Sequence, residues 1–192
     1  VCSSDLYFVP RYTRVVDTAE SKDNINKAYN LISTSKVRNE MIIDDVITCV
    51  ARKQTPVILT RFKEHAKFLH DALKEKADHV FLLYGDNSDK ENAEIRVKLK
   101  QIPENESLIL VATGQKIGEG FDFPRLDVLM LAAPVSFEGR LEQYVGRLNR
   151  DYVGKEAVYV YDYIDSHVRY FDKMYAKRLR TYRKMGFSIW TQ

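Results

Sequence analysis

An α/β fold with a mainly parallel sheet, covered by helices on both faces, is what the sequence predicts, and three observations predict it. Apolar runs of strand length recur at residues 56–60, 79–84, 107–112, 127–132 and 157–162. Most are near-continuous in Val, Ile and Leu, the composition of strands buried on both faces. Charged segments with apolar residues at helical spacing separate them, so strand and helix alternate as a parallel sheet requires.

Taken in order, residues 6–18 are β-rich (Tyr7-Phe-Val9, Tyr12, Val15-Val16) and read as a strand left over from whatever precedes the domain. Polar residues 20–26 lead into a short helix. Ser33-Thr-Ser35 then reads as a linker ending in a helix N-cap, because a serine oxygen can accept from the orphan amides of a first turn. Val37, Met41, Ile42, Val46 and Val50 mark one face of a helix running to about residue 53. The strand at 56–60 follows, then a helix at 63–76 and a strand at 79–84 closed by Gly85-Asp-Asn. A charged helix at 89–101 precedes the strand at 107–112, from which a glycine-broken loop leads to the strand at 127–132. A helix at 138–150, the strand at 157–162 and a long basic helix at 166–185 complete the series. The chain thus divides into an extension or linker (1–34), the α/β domain (35–165) and a basic C-terminal segment (166–192). Val1-Cys-Ser-Ser-Asp-Leu6, with no initiator Met, reads like a translated sequencing-adapter tail. Residues 1–6 are therefore expected to be non-native, and the native chain to extend further N-terminally.

Bulk composition is that of a soluble globular protein of 192 residues, 45% apolar and 30% charged. A net charge of +3 is only mildly basic, so nucleic-acid contact is expected as a local stripe. Cys2 and Cys49 match no metal spacing and suit a reducing cytoplasmic compartment. No run reaches membrane-spanning length and no signal peptide is visible, so no membrane partner is expected. No Gly-x-x-x-x-Gly-Lys-Ser/Thr occurs, so this chain cannot cradle ATP phosphates in the usual way.

Two segments carry chemistry. In Gln143-Tyr-Val-Gly-Arg147-Leu-Asn-Arg150, helical spacing puts Gln143, Arg147 and Arg150 on one face and Leu141, Val145 and Leu148 on the other. Gly146 keeps the polar face low. Arginine suits phosphate because its planar fork stays charged and can bond two oxygens at once. Upstream lies Ala112-Thr113-Gly-Gln-Lys-Ile-Gly118-Glu119-Gly120-Phe-Asp122-Phe-Pro124. Thr113 ends a strand, where its hydroxyl and the following amides can meet a nucleic-acid phosphate. Gly118 and Gly120 allow close backbone approach, and Asp122 can accept from a ribose hydroxyl. The loops after Leu59, Val111 and Leu131 share the carboxyl rim of the sheet, where ligands gather in such folds.

Together these segments resemble motifs V and VI of superfamily 2 helicases, and Val57-Ile-Leu-Thr60-Arg61 fits motif IV. The resemblance covers residues 35–165, and motif VI is its most specific part. Asn149 stands where the DEAD-box group has glycine, so the type III restriction and XPB-like branch of the DEAD/DEAH-box helicases is the better comparison. The implied fold is a RecA-like three-layer α/β/α domain, a P-loop NTPase fold lacking its own P-loop. The resemblance further implies ATP and Mg2+ held mainly by an N-terminal RecA-like domain outside this chain. In that setting Arg147 and Arg150 would reach the γ-phosphate, and Gln143 would couple the two domains. Gly118, Gly120 and Asp122 would touch the nucleotide, while Thr60, Arg61 and Thr113 would contact a nucleic-acid backbone, with DNA favoured. Attachment to a restriction, repair or mobile-element system stays open.

Competing readings remain. The arginines could be structural ion-pair residues of a non-catalytic module that binds nucleic acid or a partner protein. The basic helix (Arg169, Lys173, Lys177, Arg178, Arg180, Arg183, Lys184) could follow a phosphate backbone, or be a solvated face over buried aromatics. Ile42-Ile-Asp44-Asp45 imitates a Walker B end but lies within a helical pattern. His65-x-Lys67 with Asp71 misses a phospholipase-D-type spacing by one residue, on what reads as a surface helix.

Overall fold

A computed structural model describes residues 5–118, 121–135 and 138–191. Its strands are β1 (Asp5–Tyr12), β2 (Pro56–Thr60), β3 (His79–Leu83), β4 (Leu108–Thr113), β5 (Val128–Leu131), β6 (Ala157–Ile164) and β7 (Ser188–Ile189). The helices are α1 (Ala19–Asp23), α2 (Ile25–Thr34), α3 (Lys36–Ala51), α4 (Lys63–Leu73), α5 (Asp89–Gln101), α6 (Gly114–Gly118), α7 (Glu138–Leu148) and α8 (Arg169–Met185). All seven strands join one sheet in the order β3-β4-β2-β5-β6-β1-β7, and every pairing is parallel.

Side-chain alternation along the strands builds a core on each face. Leu59, Leu110, Leu129, Leu131 and Val160 meet Leu141, Val145 and Leu148 of α7 and Tyr182 of α8 on one side. Ile58, Val111, Met130 and Tyr161 meet Ile42 and Val46 of α3 and Leu69 of α4 on the other. The three-layer arrangement expected from the apolar runs is the one observed. A smaller cluster of Ala28, Tyr29 and Ile32 with Ala133, Val168 and Phe171 lays α2 against the segment leaving β5. Capping fixes helix starts where the sequence offers oxygens: Ser35 accepts from the Arg38 amide, and Ser88 with Glu91 forms a reciprocal capping box. Gly186 ends α8 in the left-handed region at φ 79°.

Several elements differ from the sequence expectation. β1 pairs with β6 over its whole length, from Asp5 with Ala157 to Tyr12 with Ile164, so it is an inner strand of this sheet. Its neighbours Phe8 and Val9 are buried on opposite faces. β7, a two-residue strand absent from the expectation, closes the edge beside β1, and Trp190 packs edge-on against Tyr7 and Tyr159. His65 is not on a surface: it is buried, and its Nε2 lies 2.8 Å from Asn39 Oδ1. Burial pushes its pKa down to about 3 and holds it neutral. Asp45, in the Walker B look-alike, is taken up by Arg11 at 2.9 Å and the Tyr163 hydroxyl at 3.0 Å.

Candidate functional site

The site grows out of the carboxyl ends of β2 and β4. Thr60 and Thr113 are register partners across these adjacent strands, so two of the residues assigned to nucleic acid meet directly. Both are buried, and the Thr60 hydroxyl donates to the Phe62 carbonyl, so what this rim presents to solvent is the backbone that follows them. Arg61 is exposed there, its guanidinium carbon 4.3 Å from the centre of the Tyr29 ring. Burial raises the Tyr29 pKa while Arg61, Arg178 and Arg140 oppose that rise, so three cations gather around one phenol.

From Thr113 the chain does not form an open loop. Residues 114–118 make the single turn α6, and α7 reaches both Gly114 and Phe121. Three contacts tie the two segments together in sequence order. The Tyr144 hydroxyl donates to the Gly114 carbonyl at 3.0 Å. A Cβ on Gly114 would sit 2.8 Å from that hydroxyl, so any larger residue there would have to push the Tyr144 hydroxyl off the carbonyl. Arg147 Nη1 donates to the Phe121 carbonyl at 2.6 Å. Lys155 Nζ donates to the Leu148 carbonyl at 2.7 Å, to the Arg150 carbonyl at 3.0 Å and to the Pro124 carbonyl. A cation satisfying the last carbonyls of a helix complements the negative end of its dipole.

The amphipathic reading of α7 holds: Leu141, Tyr144, Val145 and Leu148 are buried, while Gln143, Gly146 and Arg150 are exposed and Arg147 is half-buried. The helix stops at Leu148, two residues earlier than expected, so Arg150 sits on the turn beyond it. Among the described residues, nothing lies within 4 Å of a Cβ added to Gly146. Arg147 holds the Phe121 carbonyl, one residue before Asp122, which is exposed. Gly118 closes α6; Gly120, with Glu119, lies outside the described residues.

Sequence reasoning missed the residues that hold this assembly in place. Neither Tyr144 nor Lys155 carries a role in the sequence reading, because a hydroxyl or an ammonium reaching a backbone carbonyl across the fold leaves no local pattern. Arg178, one of the cations of the basic helix, belongs neither to a solvated face nor to a phosphate track. It is buried, with Nε 2.8 Å and Nη2 2.9 Å from the two carboxylate oxygens of Asp162.

The fold and site define a helicase-type C-terminal α/β domain. The helicase conserved C-terminal domain family matches residues 36–151, more than half of the chain, and the chain belongs to that family. Transcript termination protein A18 of Yaba-like disease virus is 30% identical over 138 residues, covering 69% of this chain. The chain spans only 28% of that relative's length. UvsW of T4 superposes with a TM-score of 0.74 at 19% identity, over 98% of this chain and 41% of that one. S. cerevisiae Dbp5, in a structure bound to RNA and ADP BeF3, gives a TM-score of 0.55 at 14% identity, again over 98% and 41%. At such identities these two likenesses speak of fold.

Proposed function

We propose that this chain is the C-terminal motor half of an ATP-dependent superfamily 2 helicase or translocase. Its substrate is a nucleic acid, with DNA favoured by the branch resemblance of the Asn149-bearing motif. One observation carries the reading. The turn bearing Arg150 is pinned through its backbone, by Lys155 on the Arg150 carbonyl, while the guanidinium itself is exposed and has no side-chain partner among the described residues. A fold that fixes the base of a charged side chain and leaves its head to solvent presents that head to something else.

The donor set here is guanidinium, which suits anionic oxygens and not a cation. ATP and Mg2+ are therefore assigned mainly to an N-terminal RecA-like domain of the same protein, and this chain's part is to close over them. The bound nucleotide supplies the phosphoryl group whose transfer drives the cycle. Arg150 and Arg147 stabilise negative charge developing on that group, a contribution of ~10³–10⁵ in rate for such fingers. Gly146 lets the opposing surface come close, and Gln143 lies on the same exposed side. Arg61 and the backbone after Thr60 and Thr113 grip the nucleic-acid strand. The segment along α7 links the two ends, because Gly114 follows Thr113 while Phe121 and Pro124 touch the arginine end.

The test is Arg150→Ala in the full-length protein. Hydrolysis is expected to fall by about 10³ or more while ATP affinity stays within a few fold. Normal turnover with lost affinity, or no change in either, would refute the finger assignment. The 192-residue chain alone is expected to show no measurable ATPase and weak, salt-sensitive nucleic-acid binding.

A further inference from the structure

The segment that enters α7 is held by a pair of buried arginines, one from each face of the sheet. Arg38 of α3 places Nε and Nη2 at 2.9 and 3.0 Å from the carboxylate oxygens of Asp165. Its remaining nitrogen, Nη1, donates to the Ala132 carbonyl at 2.7 Å. Arg178 of α8 repeats the pattern: Nε and Nη2 on Asp162, and Nη1 on the Val135 carbonyl at 3.0 Å. Between these two points the Tyr29 hydroxyl donates to the Pro134 carbonyl at 2.8 Å, and the Ala133 amide donates to the Leu59 carbonyl at 3.1 Å. All four backbone groups of residues 132–135 just named are thus fixed from outside the segment. Both aspartates come from the end of β6, three residues apart, and both ion pairs are almost wholly buried.

Stability alone does not account for such an arrangement. Taking two charges out of water costs about as much as their attraction returns, and apolar residues of similar volume commonly do as well or better. What apolar residues cannot do is hold a carbonyl at a fixed point. Each guanidinium spends one edge on a carboxylate, which locks its plane, and the locked plane aims the third nitrogen at the α7 entry. Lysine, with a single rotatable ammonium, lacks that fork. We infer that Arg38 and Arg178 are positioning residues for α7: they set where the helix starts, and so where Arg147 and Arg150 stand at its far end. This inference rests on the motor reading only for its effect on rate; the positioning itself does not.

The experiment uses the full-length protein with two variants. Arg178→Met with Asp162→Leu and Tyr182→Phe removes the pair and the hydroxyl that also donates to Asp162, leaving no buried orphan charge. Arg178→Lys keeps the charge and loses the fork, and it serves if the triple variant does not fold. Hydrogen exchange of residues 138–148 reads how firmly α7 is held, without any activity. Steady-state hydrolysis reads its consequence. Both variants are expected to exchange faster across 138–148. They should also lose about tenfold to a hundredfold in kcat, with KM for ATP within about threefold. Unchanged exchange, or kcat within about twofold of the parent while Arg150→Ala is inactive, overturns the inference. Faster exchange together with a fully active Arg150→Ala upholds the positioning and refutes the motor reading instead.

Discussion

The hydroxyl of Tyr144 lies 3.0 Å from the carbonyl of Gly114, and through this bond the arginine-bearing helix grips the end of the strand that carries Thr113. Both residues belong to the segments that the sequence marked as chemical, yet neither was given a role there. Tyr144→Phe keeps the ring in the core and removes only the donor. The domain is expected to lose about 1 kcal/mol, read by denaturant unfolding with an unchanged slope. Unaltered stability would mean that the bond has no weight in solution.

Gly146 offers a change of opposite sign. It lies inside α7, its φ is ordinary, and an added Cβ meets nothing among the described residues. Gly146→Ala should therefore stabilise the isolated domain by about 1 kcal/mol, raising its melting midpoint by about 2–4 °C. In the full-length protein the same methyl would stand in the closing interface, and hydrolysis should drop. A variant both more stable and equally active would remove the case for close approach at this point.

Arg61 carries the prediction for nucleic acid. It is exposed beside the carboxyl rim and leans on the Tyr29 ring. Arg61→Ala should weaken binding about equally for all sequences and lower the slope of log affinity against log salt by about 1. An unchanged slope, measured from low to moderate salt, would take Arg61 off the strand path.

Acid sensitivity should trace in part to His65. Its folded pKa of about 3 lies below the ordinary imidazole value of 6.5, so the unfolded chain binds the extra proton first. The stability it lends is present above 6.5 and drains away as pH falls toward 3, by at most about 1.4 kcal/mol per pH unit. Asp127 acts in the other direction. Burial lifts its pKa from 3.8 to about 6, so its contribution is present below 3.8 and lost as pH rises through 6. The difference between the parent and His65→Gln isolates the histidine: the variant's stability should depend less steeply on pH between 3 and 6.5. Parallel curves would mean that His65 is solvated.

How much of this was legible in the chain follows from how local each signal is. Strands such as Pro56–Thr60 and Leu108–Thr113 announced themselves because burial on both faces leaves no polar residue until their ends. The faces of α7 were legible because helical spacing sorts Arg147 from Leu148 without help from the rest of the fold. The place of β1 was not, since its partner lies about 150 residues away in the chain and only closure of the sheet reveals the match. Nor could a run of cations show which one turns inward. Arg178 differs from Arg180 only in facing Asp162, and Arg38 is 127 positions from Asp165. The turn of α6 defied its glycines because packing against Tyr144 decides there, not propensity.

The single tryptophan gives the sheet's far edge an optical signature of its own. Trp190 leans on Tyr7 and Tyr159 and its amide donates to the Phe8 carbonyl, so its emission reports whether the outermost strands stay zipped. An unfolding curve followed by that fluorescence watches β1 and β7 part. A curve followed by helical dichroism averages over α7 and its neighbours. Agreement between the two would show that fraying at this margin and melting of the arginine-bearing side are one cooperative event.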